Sequence, residues 1–442
     1  MAFVVNTAKT LRTHWKKSTF GFCLAVYGVK YVNNKHNDNL LRREYCDEAR
    51  KYGHEKIELG HRPRRVTVFL NPAAREGKAR KLFEKTAAPI LYVAGIEVNV
   101  VATEYEGQVK NFMTVLDTED TDAVIVAGGD GTLLEFYFSS VFFQAVTGFL
   151  RKEDRDFSEN IPLGVIPLGK TNRFSKILFG PDLDEVKMIA EAAIAVVRAV
   201  TKKVDVIKFD GGEGKTIYSL CGLEVGAYRD AEDRKSKYWY FGPLKHRWTY
   251  VRTAMKDWPP VINAQVSYLE ANEENMAGED EVVGKKKNSG QSWSFFNFLF
   301  RRNQRDAKWE AEQKAKEEER RKEEAAQMVT SDVATVEMTV TTSTLVDSEA
   351  PLKSLQMGLG PSDPGKMDVI REGSRRMKER GFSMGSPDDQ RLLAKKIHIE
   401  PKEEEERWFN IDGEAFEAMP VDITLLRNKL NFFCPQPQPA TS

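Results

Sequence analysis

Chemistry in this sequence concentrates where a single carboxylate sits among glycines at the end of an apolar strand. Ala123, Val124, Ile125 and Val126 run directly into Ala127, Gly128, Gly129, Asp130, Gly131 and Thr132. A β-branched run that ends in glycines predicts a buried strand and a tight turn. Without Cβ atoms in the way, backbone N–H groups of such a turn can approach an anion closely. An acidic group beside a phosphate cradle points to phosphoryl transfer, in which positioning and charge stabilisation carry the reaction. A plain turn is the alternative for Gly-Gly-Asp-Gly taken by itself.

Two further segments repeat the pattern. Ile161 to Leu168 is apolar and leads to Gly169, Lys170, Thr171 and Asn172, with a helical stretch from Arg173 to Leu178. Upstream, Val66 to Leu70 leads to Asn71 and Pro72, then to a basic helix start at Gly77, Lys78 and Ala79. Three strand–loop–helix units with polar loops at the strands' C-terminal ends predict a crevice site in an α/β sheet.

The elements that must hold these loops divide the chain. Residues 1–62 read as a targeting and membrane-anchor region. Residues 63–202 alternate strands and helices, as in a doubly wound, Rossmann-like α/β domain. Residues 203–434 turn to strands, with a charged insert at 270–330 and an irregular loop at 351–392; residues 435–442 form a tail. Strands are expected at Val204–Phe209, Thr216–Leu220, Ala264–Tyr268, Val336–Thr341, Lys396–Ile399, Trp408–Ile411 and Val421–Leu425.

Bulk properties exclude some functions. The 442 residues carry 66 basic and 66 acidic side chains, which gives no global argument for nucleic-acid binding. Cys23, Cys46, Cys221 and Cys434 lack paired spacing, so neither a zinc site nor a disulfide framework follows. Local charge is more informative. Lys9, Arg12, Lys16, Lys17, Lys30 and Lys35 all precede the first acidic residue, Asp38. A basic start of this kind fits a mitochondrial address or a membrane-surface segment. The apolar run from Phe20 to Val32 is short and interrupted by Lys30, against the roughly 20 residues of a spanning helix. A marginal anchor and an ordinary amphipathic helix both remain open. Trp293 to Arg302, aromatic and then basic, fits either an anionic membrane surface or a helix packed on a partner.

The three loops, in this order and spacing, resemble the diacylglycerol kinase catalytic-domain family, which includes the sphingosine kinases. That family shows a strand ending in Asn-Pro, then Gly-Gly-Asp-Gly-Thr, then a Pro-x-Gly-Thr-x-Asn loop. Ala227 to Asp230, Ser236 to Gly242, and Ile411-Asp412-Gly413-Glu414 match later segments. The resemblance implies an NAD kinase/diacylglycerol kinase-like fold, with an α/β nucleotide-binding domain and a C-terminal β-sandwich for the lipid. The last segment, Lys429 to Cys434, would return to the first domain.

The resemblance also implies roles. ATP phosphates would lie on Gly128, Gly129, Gly131 and Thr132, completed by Gly169, Thr171 and Asn172, with Asn71 on the nucleoside side. Asp130 would orient the acceptor hydroxyl and take its proton, or help hold Mg²⁺; Asp412 and Glu414 are rivals or co-workers for the catalytic role. Asp230 matches the acidic position used for the lipid headgroup, with Arg229 beside it. Further matches at Leu11–Lys17, Asp38–Arg43 and Glu417–Cys434 point to a mitochondrial branch of the family. For that branch the expectations are monoacylglycerol and diacylglycerol as substrates, with ceramide or sphingosine as the alternative acceptor. The expected location is the mitochondrial inner membrane, facing the intermembrane space. Partnership with the translocase that inserts carrier proteins is also expected, and a chiefly structural role there is the rival function.

Two departures stand out. Lys170 and Arg173 replace the residues usual in the third loop, shifting the Thr by one place. After Leu133, the ten residues Leu134 to Phe143 are inserted before Gln144 resumes the pattern. At about 100° per helical residue, ten residues fall roughly 80° short of three turns. A continuous helix would therefore present a rotated face downstream.

Overall fold

The computed structural model describes residues 14–57, 59–103, 108–116, 120–129, 146, 150, 161–169, 172–212, 216–255, 261–272, 326–343, 353–378, 385–386, 389–402 and 407–436. Asp130, Gly131, Thr132, Lys170, Thr171, the 134–143 insertion and the 293–302 segment lie outside them.

The first domain is built on parallel strands β1 (Arg65–Leu70), β2 (Glu97–Ala102), β3 (Ala123–Gly128) and β4 (Leu163–Pro167). Their spatial order is β4-β3-β1-β2. β3 and β4 are buried along their whole length, which is why they read as unbroken apolar runs. β2 is the edge, and its residues are mostly exposed. The helix Glu185–Arg198 covers one face with Ile189, Ile194 and Val196.

The N-terminal helix, Trp15–Gly53, corrects the boundary expected at residue 62. Its second half belongs to the α/β domain. Tyr45 and Ala49 are buried in the core, and the Tyr45 hydroxyl donates to Glu191 at 2.5 Å. Arg198 pairs with Glu48. Its first half leaves Trp15, Phe20, Phe22, Tyr27 and Tyr31 exposed. No helix among the described residues is long and apolar enough to cross a membrane.

The second domain holds β5 (Thr201–Asp210), β6 (Thr216–Ser219), β7 (Leu223–Gly226), β8 (Ile262–Glu270), β9 (Val329–Thr335), β10 (Glu337–Thr342), β11 (Leu355–Leu359), β12 (Gln390–Pro401), β13 (Trp408–Ile411), β14 (Glu414–Glu417) and β15 (Val421–Phe433). A bulge between Ala394 and Lys396 lets β12 leave β11 and pair with β15 along the same edge, while β8 takes the other. Strands that change partners at a bulge turn the corners of two-layered β structures. Residues 351–392, expected as an irregular loop, are a correction. They contain β11, the helix Lys366–Lys378 and the start of β12.

β15 joins the domains. Its first part pairs with β12, and near its end Phe432 pairs in parallel with Leu163 of β4. The Cys434 N–H donates to the Val200 carbonyl, so the chain end returns to the first domain as expected. Phe432 meets the Phe174 ring edge-on at 4.9 Å, and both belong to a core that also includes Val126 and Leu220.

Candidate active site

The C-terminal ends of β1, β3 and β4 bring three of the expected loops together. The Asn71 N–H donates to the Ala127 carbonyl, and Asn71 Oδ1 accepts from the Ala73 N–H at 3.0 Å. A Cβ added to Gly128 would stand 3.7 Å from the Asn71 Cβ. Gly129 and Gly169 nearly touch, since a Cβ on Gly129 would fall 2.7 Å from the Gly169 Cα. No side chain fits at that crossing, so glycine is a steric requirement there. Asn172, left-handed at φ 49°, closes the third loop on itself. Its Oδ1 accepts from the Gly169 N–H and its Nδ2 donates to the Gly169 carbonyl, both at 2.9 Å. The floor of the cleft is therefore bare backbone held by two asparagines, which suits a phosphate chain.

The second domain faces this floor through β7. Glu224, a charge within the apolar stretch Leu223–Gly226, is buried. Its carboxylate accepts from Arg173 at 3.3 Å and from Asn410 Nδ2 at 3.1 Å. Arg173 immediately follows Asn172, so this pair ties the third loop to the second domain. Neither Glu224 nor Asn410 was among the residues expected at the site. The available signal was the lone acid inside an apolar strand, because a buried carboxylate requires a partner.

β7 continues into the helix Ala227–Arg234, which carries the expected acceptor residues. Arg229 is buried and donates to Asp230 at 3.1 Å, while its Nε has no hydrogen-bond partner among the described residues. Asp230 Oδ2 also lies 3.7 Å from Arg407 Nη1. Arg407 is a second cation at this position that the sequence did not single out.

Asp412 holds a turn of the second domain. It is buried at φ 51° in the turn between β13 and β14. Its carboxylate accepts from Ser219 Oγ at 2.7 Å and from the N–H groups of Leu220, Cys221 and Gly222. Burial pushes its carboxyl above the usual range, against the pull of those four donors. The carboxylate so placed clasps the 219–222 turn that feeds β7. Glu414 opens β14 two residues on and is partly exposed. Among the described residues no cluster of His, Cys, Asp and Glu is arranged to hold a metal.

A separate, half-open cavity of about 530 Å³ lies in the second domain, lined by apolar residues such as Val266, Met357 and Leu392 and by the polar residues Ser331, Asp332 and Gln390. Its rim includes Pro361, whose carbonyl accepts from the Val336 N–H; the Val336 carbonyl accepts from Ala227. One residue thus links the cavity rim to the start of the Asp230 helix.

Comparison with known proteins agrees with this geometry. Residues 65–209 match the Diacylglycerol kinase catalytic domain family, and residues 220–440 match the Acylglycerol kinase C-terminal family. A solved structure described as a putative diacylglycerol kinase from Bacillus anthracis shares the fold, with TM-score 0.50, 19% identity, and coverage of 84% of this chain and 98% of that one. The family matches make the chain an ATP-dependent lipid kinase. Mitochondrial acylglycerol kinases of Xenopus laevis and Homo sapiens are each 38% identical, covering 98% and 96% of this chain and 96% of each relative. The chain belongs to the acylglycerol kinase family.

Proposed function

We propose that the protein transfers the γ-phosphoryl group of ATP to the primary hydroxyl of monoacylglycerol and diacylglycerol, forming lysophosphatidic and phosphatidic acid. The observation that carries this reading is β7. It bears Glu224, paired with the cation behind the third loop, and leads within a few residues to Asp230. Donor and acceptor halves of the site are thereby held by one strand. The unpartnered Arg229 Nε beside Asp230 suits an oxygen-rich headgroup, since buried donors are seldom left empty.

In this reading Gly128, Gly129, Gly131, Thr132, Gly169, Thr171 and Asn172 hold the phosphates, and Asn71 flanks the nucleoside. Asp130 takes the proton of the acceptor hydroxyl as its oxygen bonds to the γ-phosphorus and ADP leaves. Mg²⁺, when bound, neutralises charge on the phosphates. Asp130 would be the carboxylate to hold it, with Asp412 and Glu414 as the further carboxylates of the site. Asp230 and Arg229 orient the glycerol hydroxyls. The relatives' mitochondrial naming and the basic N-terminus support attachment to the mitochondrial inner membrane, facing the intermembrane space.

A second reading is a structural subunit of the carrier-protein translocase in that membrane. The uncovered aromatic half of the Trp15–Gly53 helix favours it. Both readings are tested by radiolabelled transfer from ATP·Mg²⁺ to monoacylglycerol, diacylglycerol and ceramide in detergent micelles. The full chain should phosphorylate the glycerides, and Asp130→Asn should not. Activity only after removal of residues 134–143 would make the structural role the leading one, and preferential labelling of ceramide would replace the acceptor.

A further inference from the structure

The helix bearing Asp230 is followed by a segment that presents aromatic side chains to solvent. Residues 235–244 form tight 3₁₀ turns broken at Gly242, whose φ is 52°. Trp239 is 76% exposed, Tyr240 62% and Leu244 61%. They are not loose projections. Tyr238 and Trp239 each pack against Tyr240, Tyr240 against Phe241 at 4.8 Å, and Phe241 against Trp248 at 4.9 Å.

The base beneath this aromatic tip is rigid. The following helix, Lys245–Met255, is anchored by Tyr250, which is buried and donates to Glu232 at 2.7 Å. Gly373 lies so close to the Tyr250 ring that a Cβ there would collide with it. The tip is therefore held out from the body.

Charge selects the partner. Between residues 234 and 255 the sequence has six basic residues, Arg234, Lys235, Lys237, Lys245, Arg247 and Arg252, and no acidic one. Lys235 is taken by Glu232, whereas Lys237, Arg247 and Arg252 reach solvent. Indole and phenol rings have an apolar body and a polar edge, which favours the boundary between headgroups and acyl chains. Cations around them favour anionic lipid.

We propose that residues 235–248 form a docking surface for an anionic phospholipid bilayer, which places the Asp230 end of the cleft at the membrane. The inference deepens the functional reading above and rests on its premise that the acceptor is drawn from a bilayer. It concerns a surface distinct from the N-terminal helix.

The test uses the full chain in phosphatidylcholine vesicles with and without phosphatidylglycerol, read by hydrogen–deuterium exchange of peptides spanning 235–248. Protection is expected only with phosphatidylglycerol, and should be lost in Trp239→Ser/Tyr240→Ser and in Arg247→Glu. In kinetics, these variants should raise the apparent KM for vesicle-borne monoacylglycerol by roughly tenfold. kcat should be unchanged, as should turnover of a short-chain, monomeric glyceride. Absence of protection, or equal protection on neutral vesicles, overturns the proposal and leaves a protein as the partner of this surface. Parallel loss of activity on the monomeric glyceride also overturns it, because the residues then serve the cleft. Protection without any glyceride phosphorylation leaves the docking surface intact and removes the assigned substrate instead.

Discussion

Arg173 and Glu224 form an ion pair between the two domains, with 3.3 Å between Nη1 and Oε2 and side chains only 18% and 9% exposed. One partner follows the nucleotide-side loop; the other sits on the strand that leads to the acceptor helix. Removing one member of a largely buried pair strands the other charge. Arg173→Ala should therefore lower stability by about 3 kcal/mol, measured by denaturant titration with both domains followed. Glu224→Gln, which keeps the shape and the Asn410 contact, should cost less. No measurable loss in Glu224→Gln would show that the charge on Glu224 does not matter.

The crossing of Gly129 and Gly169 leaves no room for a methyl group. Gly129→Ala must push the two loops apart where the phosphates are proposed to lie. ATP affinity should fall at least about tenfold, equivalent to about 1.4 kcal/mol, in a direct nucleotide titration. Unchanged affinity would place the phosphates elsewhere.

Asp412→Asn separates a clasp from a base. The amide keeps one acceptor oxygen but turns an N–H₂ toward a neighbour that is itself a donor. A loss of about 1–3 kcal/mol follows from the unsatisfied buried group. kcat should fall as β7 shifts, while the pH–rate profile keeps its shape. A displaced acidic limb would instead assign Asp412 to proton transfer.

Asp389 is buried, with Oδ2 accepting from the Ser386 N–H and Oδ1 without a partner among the described residues. Burial holds its carboxyl above the ordinary range, with Arg376 pulling the other way. The folded protein thus keeps this proton to higher pH than the unfolded chain does. Stability contributed here is greatest in acid and is lost as pH rises from the ordinary carboxylate value to the raised one. Asp389→Asn should raise Tm at neutral pH, with the gain shrinking toward acid. A gain independent of pH would point to packing rather than ionisation.

Much of the architecture was legible before any coordinates. β1, β3 and β4 are buried on both faces, so their sequences are continuous apolar runs ending in polar loops. The glycines at 129 and 169 were legible because their backbones cross too closely for a side chain. The β15 return was expected, and Phe432 pairing with Leu163 bears it out. β11 and the Lys366–Lys378 helix were read as loop because Gly, Pro and Ser dominate around them. That helix is held by tertiary contacts: Arg376 makes a two-pronged pair with buried Glu337, and Gly373 seats Tyr250.

Local chemistry thus determined the class of the protein: which strands are buried, which loops are bare backbone, and that a carboxylate stands among them. Only the tertiary structure decided which charges meet. That Asp412 holds four donors of a turn 190 residues earlier in the chain could not be read from its Asp-Gly-Glu context. Arg173 was an anomaly until Glu224 lay beside it. Partners of buried ions are set by the crossing of β7, β13 and β15 between the domains, and no local pattern in a chain encodes that crossing.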